Sequence, residues 1–377
     1  MAFRRSAMPR HFSAKTPALL LSACLASALA GACAPPTGSR QIADRSYAEL
    51  YNALSEDGGF FDSDNLISNE TSYLHALDDL RAYGVRGGVF IGVGPDQGFS
   101  YIAEIRPELA IMIDIRRDAM LQHLMFRALF RHSRNRMEYL AGLIGAQVFN
   151  LDAWTGRPID EIVAVLDTAQ RTEAEFTRWS SLILGDASAS GIALEAKDVS
   201  TIQRFRREFF SSGLSLRYTS HNRPPRLSYP TLRQLITERD LAGNQSSYLA
   251  TEDRWRIVRD LQLRNRVLVV TGDLAGPHAI RAIGDYLRTN GLTVSAFYTS
   301  NVEQYLFQFG TFEDFAGNTA ALPFAPNGVI IRSFFNRAGW HPRAQPGHIS
   351  VQLVQPAAEF LQKIETGGYG SYFELVN

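Results

Sequence analysis

The stretch Gly88-Val-Phe-Ile-Gly92-Val-Gly94-Pro-Asp96-Gln97-Gly98-Phe-Ser-Tyr101, followed by Leu109-Ala-Ile-Met-Ile-Asp114-Ile-Arg116-Arg117, decides how the chain is read. An apolar run climbs into a glycine-rich turn, a short helical pattern follows, and a second apolar run ends on a carboxylate. That is the pattern of a nucleotide-binding βαβ unit. Its glycines let backbone N–H groups approach a ligand at a helix N-terminus, and an acid at the second strand tip can hold ribose hydroxyls. Gly94 and Asp114 are 20 positions apart, as that geometry requires. The turn is Gly92-x-Gly94-x-x-x-Gly98, one residue longer than the dinucleotide fingerprint.

Outward from this unit, the same rhythm recurs near the C-terminus. Strands are expected at 89–93, 110–115, 267–271, 294–298, 328–334 and 349–354, with helices between them, including one at 301–309. Apolar strands alternating with helices predict an α/β fold. The expected fold is Rossmann-like: a mostly parallel sheet of six or seven strands, helices on both faces, a helical lead-in and an irregular cap. Residues 41–83 carry two amphipathic stripes, Tyr47, Leu50, Tyr51 and Leu54, then Tyr73, Leu74, Leu77, Leu80 and Tyr83. Residues 151–265 show helical spacing only at Ile159, Ile162, Val163 and Leu166 and at Ile202, Phe205 and Phe209, so they read as a cap or insertion. The expected organisation is a signal peptide at 1–32, a tether at 33–44, a helical lead-in with the first α/β half at 45–150, the cap at 151–265, and the second α/β half at 266–377.

The leader carries Arg4, Arg5, Arg10 and Lys15 before an apolar run at 16–32, the form of an export signal. Ala30-Gly31-Ala32 suits simple cleavage, and Cys33, or alternatively Cys24, suits lipidation. An exported, periplasmic or membrane-anchored lipoprotein is expected, with the cytoplasm as the alternative location. Removing 1–32 takes the formal charge from 0 to −4, and no basic stripe points to nucleic acid. Both cysteines lie in the leader region, so the body has no disulfide, thiolate metal site or cysteine nucleophile. No metal-ligand spacing, Walker loop or Ser-His-Asp arrangement is present.

Ligands of open α/β sheets bind beyond the carboxyl ends of the strands. Here those ends carry Gly94-Pro-Asp96-Gln97, Asp114-Ile-Arg116, Gly272-Asp273, Thr299-Ser-Asn301-Val-Glu303 and Arg332-Ser333. Gly92, Gly94, Asp96, Gln97 and Asp114 are the candidate cofactor-binding residues. Asp114 could instead pair with Arg116 or Arg117. Asp273 and Asn301 are candidates for orienting a substrate, although Asp273 could equally cap the following helix and Asn301 could be an N-cap. His278 is the best-placed histidine for acid–base work, whereas His123 and His132 suit structural roles.

The strings 90–107, 113–117 and 122–128, with Ser247-Tyr-Leu-Ala-Thr-Glu252, Gly272-Asp-Leu-Ala-Gly-Pro277 and 295–307, resemble an uncharacterised bacterial family with a methyltransferase-like fold. The resemblance spans roughly residues 45–335. It implies a seven-stranded sheet similar to that of class I S-adenosylmethionine (SAM)-dependent methyltransferases, with Gly92 and Gly94 on the glycine loop and Asp114 as the ribose acid. Two functions are expected from it: SAM-dependent methyl transfer to a small molecule, or an exported non-catalytic protein that binds a small ligand in the same crevice. A nicotinamide oxidoreductase is disfavoured by the extra residue in the glycine loop.

Overall fold

The computed structural model describes residues 41–221, 223, 226–336 and 341–377. The leader, Cys24 and Cys33 lie outside the described residues. Six strands form one sheet: β1 (Val89–Gly92), β2 (Leu109–Asp114), β3 (Val267–Thr271), β4 (Val294–Ser300), β5 (Phe324–Phe335) and β6 (Ser350–Pro356). Their order is β3-β2-β1-β4-β5-β6, parallel except for β6, which runs antiparallel to β5 from Val329↔Pro356 to Phe335↔Ser350. The protein is therefore a mixed α/β fold with a mostly parallel sheet, as expected, and its far edge is turned back on itself.

Every residue of β1 and β3 is buried. Parallel strands covered on both faces read as continuous apolar runs, which is why these segments were legible. β1 to β5 run parallel, and the order of strand addition switches sides between β1 and β4, with β2 and β3 on one side and β5 on the other. The carboxyl ends of β1 to β5 accordingly converge on one rim, with Gly92 opposite both Met112 and Tyr298, and Asp114 opposite Thr271.

Residues 151–265 are not irregular. They hold the helices Ile159–Thr168, Glu173–Ala189, Ala196–Ser212, Leu232–Thr237 and Glu252–Leu263. The last of these packs on Gly98–Ile105 and Arg117–His132 and leads into β3, so it belongs to the sheet layer and not to a cap. Local chemistry starts these helices. Thr172, Thr231 and Thr251 each accept a backbone N–H three residues on, and Thr231 forms a reciprocal capping box with Gln234. The apolar stripe of Glu173–Ala189 is hidden because its buried face includes Asp186 beside Trp179, Ile183 and Ala187.

The lead-in contains the helix Asp44–Leu54, then a 3-10 turn Thr71–His75 running into the helix Ala76–Ala82. Residues 55–70 between them form no regular element. They cross the carboxyl ends of the strands.

Candidate binding site at the strand tips

At the β1 tip the backbone turns through Gly94 at φ +81°, a conformation open to glycine. Gln97 folds back over it: a Cβ on Gly94 would lie 2.8 Å from Gln97 Nε2. That nitrogen donates to Tyr298 Oη at 3.3 Å, while Gln97 Oε1 is buried without a partner among the described residues. The Asp96 carboxylate is buried and accepts from Tyr248 Oη at 2.9 Å; Tyr248 also meets Tyr139 Oη at 3.2 Å. Burial pushes the Asp96 carboxyl up to about 6, because the charged form loses its hydration. His123 Nε2 lies 2.9 Å from the Gly94 carbonyl, which can only accept, so Nε2 carries the proton. Its buried Nδ1 is left without a partner, and burial pulls the ring down to about 4.

The β2 and β3 tips are closed by the chain itself. Asp114 is held by Arg116: the Arg116 backbone N–H and Nε donate to Oδ1 at 2.9 and 3.1 Å, and Nη2 to Oδ2 at 3.0 Å. The two side chains are 12% and 8% exposed. Arg116 Nη1 also donates to the Ser63 carbonyl at 2.7 Å. The ion-pair alternative for Asp114 is the one that forms. At β3, Glu56 supplies a carboxylate to the turn before the helix Ala279–Thr289. Its Oε1 accepts from Asp273 N at 2.8 Å, and its Oε2 from His278 N and Ala279 N at 3.0 and 3.2 Å. Backbone bonds from Glu56 N to Thr271 O and from Gly59 N to Ile115 O fasten the same segment to β3 and the end of β2. The side chain of Asp273 turns inward to accept Ala275 N, and His278 Nε2 meets the Ala53 carbonyl. Neither reaches an open site. Asp273 is a local turn-former, and Glu56 provides the helix cap expected of it.

The tips of β4, β5 and β6 gather around Glu70, which is 1% exposed. Its Oε2 accepts from Tyr298 Oη and Ser333 Oγ at 2.7 Å each and from Gln352 Nε2 at 3.0 Å, and its Oε1 from Ser300 Oγ. Ser300 sits at φ +53°, an uncommon conformation for a side-chain-bearing residue and one that turns β4 sharply into the next helix. Glu303 does not face a ligand. It forms a fully buried ion pair with Arg332, at 2.8 and 3.1 Å.

Asn301 does reach open space. It lines a cleft of about 160 Å³ together with Phe61, Asn69, Tyr218, Tyr229 and Tyr305, among others. Asp62 and Arg223, also in the lining, pair with each other at 2.9 Å. Residues 61–63 are bound to the loop opposite through Ser63 Oγ to the Thr219 carbonyl and His221 N to the Asp62 carbonyl. A shallower groove of about 610 Å³, lined by Ile42, Glu49 and Tyr286 among others, also takes in Arg266 just before β3, so it lies away from these tips. Of the seven predicted site residues, Gly92, Gly94, Asp96 and Gln97 share the β1 tip, Asp114 and Asp273 are engaged within the chain, and Asn301 borders the cleft. Glu56, Glu70 and Tyr305 were missed. Glu56 and Glu70 sit in an aperiodic segment whose partners lie more than 200 residues away.

These features define an α/β protein in which residues 56–63 partly cover the rim formed by the carboxyl ends of its parallel strands. A family model described as a domain of unknown function, DUF7790, matches residues 66–150 and 215–371, more than half of the chain, and the chain belongs to that family. Asn69, Tyr218, Tyr229, Asn301 and Tyr305 of the cleft fall within the matched residues, whereas Glu56 and the helices at 159–212 fall outside them. No curated protein matches the chain.

Proposed function

We propose that the chain is a Rossmann-like, methyltransferase-like protein that binds a small polar solute in the cleft beside Asn301, without catalysis. The observation that carries this reading is the contrast in occupancy along one rim. Asp114 is committed to Arg116 and the β3 turn to Glu56, while the cleft at the β4 tip remains open. An adenosine moiety at the β2 and β3 tips would have to displace both. Concave sites with a few convergent polar groups are the default place for a small ligand. An exported protein, cleaved after Ala32 or lipidated on Cys33, fits a solute binder, since SAM is made in the cytoplasm. Calorimetry of the full chain with sugars, nucleosides, amino acids and SAM tests the reading. Binding of a solute that Asn301→Ala weakens, with no heat from SAM, is the expected result. Stoichiometric SAM binding abolished by Asp114→Ala overturns it.

A second reading is SAM-dependent methyl transfer to a small molecule. It is favoured by Gln97 Oε1 and His123 Nδ1, two buried acceptors at the glycine loop that lack donors among the described residues. In that reading Gly92, Gly94, Asp96, Gln97 and Asp114 hold the cofactor, Asp273 and Asn301 orient the substrate, and proximity supplies the rate. It requires residues 56–63 to leave the tips.

A further inference from the structure

Resting on the solute-binding reading, we infer that the cleft takes one neutral sugar ring. Among the described residues, Asp62 and Arg223 are the charged side chains in its lining, and they pair with each other. A carboxylate or phosphate ligand would therefore lose hydration without meeting a free countercharge. The other polar groups among the described lining residues include the carboxamides of Asn69, Asn301 and Gln304 and the hydroxyls of Ser220, Tyr218 and Tyr305. Amides and hydroxyls both donate and accept, as sugar hydroxyls do, so each ligand hydroxyl can be matched in either sense.

The apolar part of the lining selects shape. Phe61 and Tyr305 stand at 88° with centroids 5.4 Å apart, and Tyr218 and Tyr229 at 66° with centroids 4.8 Å apart. Within each pair the rings stand edge to face, so neither pair forms a parallel slot for a flat base. They offer faces from different directions to a thick ring with C–H groups above and below. Burial raises the Tyr305 phenol above its ordinary value, so it stays neutral and able to donate. A cleft of about 160 Å³ has room for a single ring.

The test is saturation-transfer NMR and calorimetry on the full chain with D-glucose, D-galactose, D-mannose and N-acetyl-D-glucosamine, each at about 10 mM, alongside adenosine and glutamate. At least one sugar is expected to bind with a Kd that does not change with added salt. Asn301→Ala and Tyr305→Ala should each weaken it at least about tenfold, and Tyr305→Phe less, since it keeps the ring. Gln304→Ala serves if Asn301→Ala loses its melting transition. Absence of binding by all four sugars, or sugar binding indifferent to these variants, overturns the inference. Adenosine or glutamate binding that Asn301→Ala weakens, with no sugar binding, overturns the sugar class and leaves the solute-binding reading standing. If none of the six probes binds, both fail.

Discussion

The tips of β1, β2 and β3 and the tips of β4 and β5 carry the same kinds of residue, yet one set is closed and the other open. On the first side the chain itself engages most of the polar groups: Gln97 Nε2 meets Tyr298, Asp114 meets Arg116, and the β3 turn meets Glu56. On the second side Glu70 consumes the serines and Tyr298, but Asn301 is left at the edge of a cleft. Polar residues at strand ends thus mark where a site can form. Whether it is free depends on what the rest of the chain delivers there.

The largest effect is expected at the anchor of the open side. Glu70→Ala removes the shared acceptor of four donors, three of them buried, and should cost about 3 kcal/mol in a urea titration. A loss below about 1 kcal/mol would mean that water readily replaces the carboxylate and that Glu70 does not fasten the segment.

Titration sharpens the contrast next. Asp96 is pushed up to about 6 from 3.8, so the folded state holds its proton more tightly than the unfolded chain. That stabilisation is complete below the unfolded value and is lost as pH rises through about 6. His123 acts in the opposite direction. Pulled down from 6.5 to about 4, it contributes stability above the unfolded value that is lost as pH falls through about 4. Asp96→Asn should therefore gain on the unmodified protein by on the order of 2 kcal/mol between about pH 4 and pH 7. Stability curves that stay parallel across this window would show that Asp96 remains charged.

Glu56→Ala should cost about 1 to 2 kcal/mol, the scale of a helix cap with charged hydrogen bonds. Its more telling readout is binding. Paired with Arg116→Ala it frees the β3 turn and Asp114 together, and adenosine or SAM should then bind if the closed side is merely blocked. Continued absence of binding would show that the first side is not a latent nucleotide site.

The smallest effect belongs to Arg223→Ala at the rim of the cleft. Its pair with Asp62 is 57% and 37% exposed, so stability should change by no more than about 0.5 kcal/mol in thermal melts. A drop of several degrees would show that the loop at 216–229 is held by this pair.

Much of the sheet was legible because β1, β2 and β3 are buried on both faces and so are apolar up to their tips. Gly94 was legible for the same kind of reason, since its turn uses a conformation that favours glycine. The helices at 173–189 and 196–212 were harder to read, because ion-paired Asp186 and Asp198 and the buried Arg206 interrupt the apolar stripe. At Asp114 the sequence offered ribose or Arg116, and spacing could not separate them. The arginine that reaches back two residues onto the carboxylate is Arg116. Residues 55–70 have no period to read. Their structure is dictated by distant groups.

That distance has a consequence for how the protein is made. Glu56 is separated from Asp273 by 217 positions, and Glu70 from Gln352 by 282. Chain synthesis begins at the N-terminus, and contacts between remote positions are slow to form. The segment made early thus waits for its anchors until β3 and finally β6 have left the ribosome. A ribosome stalled before residue 267 therefore holds a chain in which Glu56 has none of its partners, and the segment over the strand tips has its contacts at Ile115 and Arg116 but not at β3.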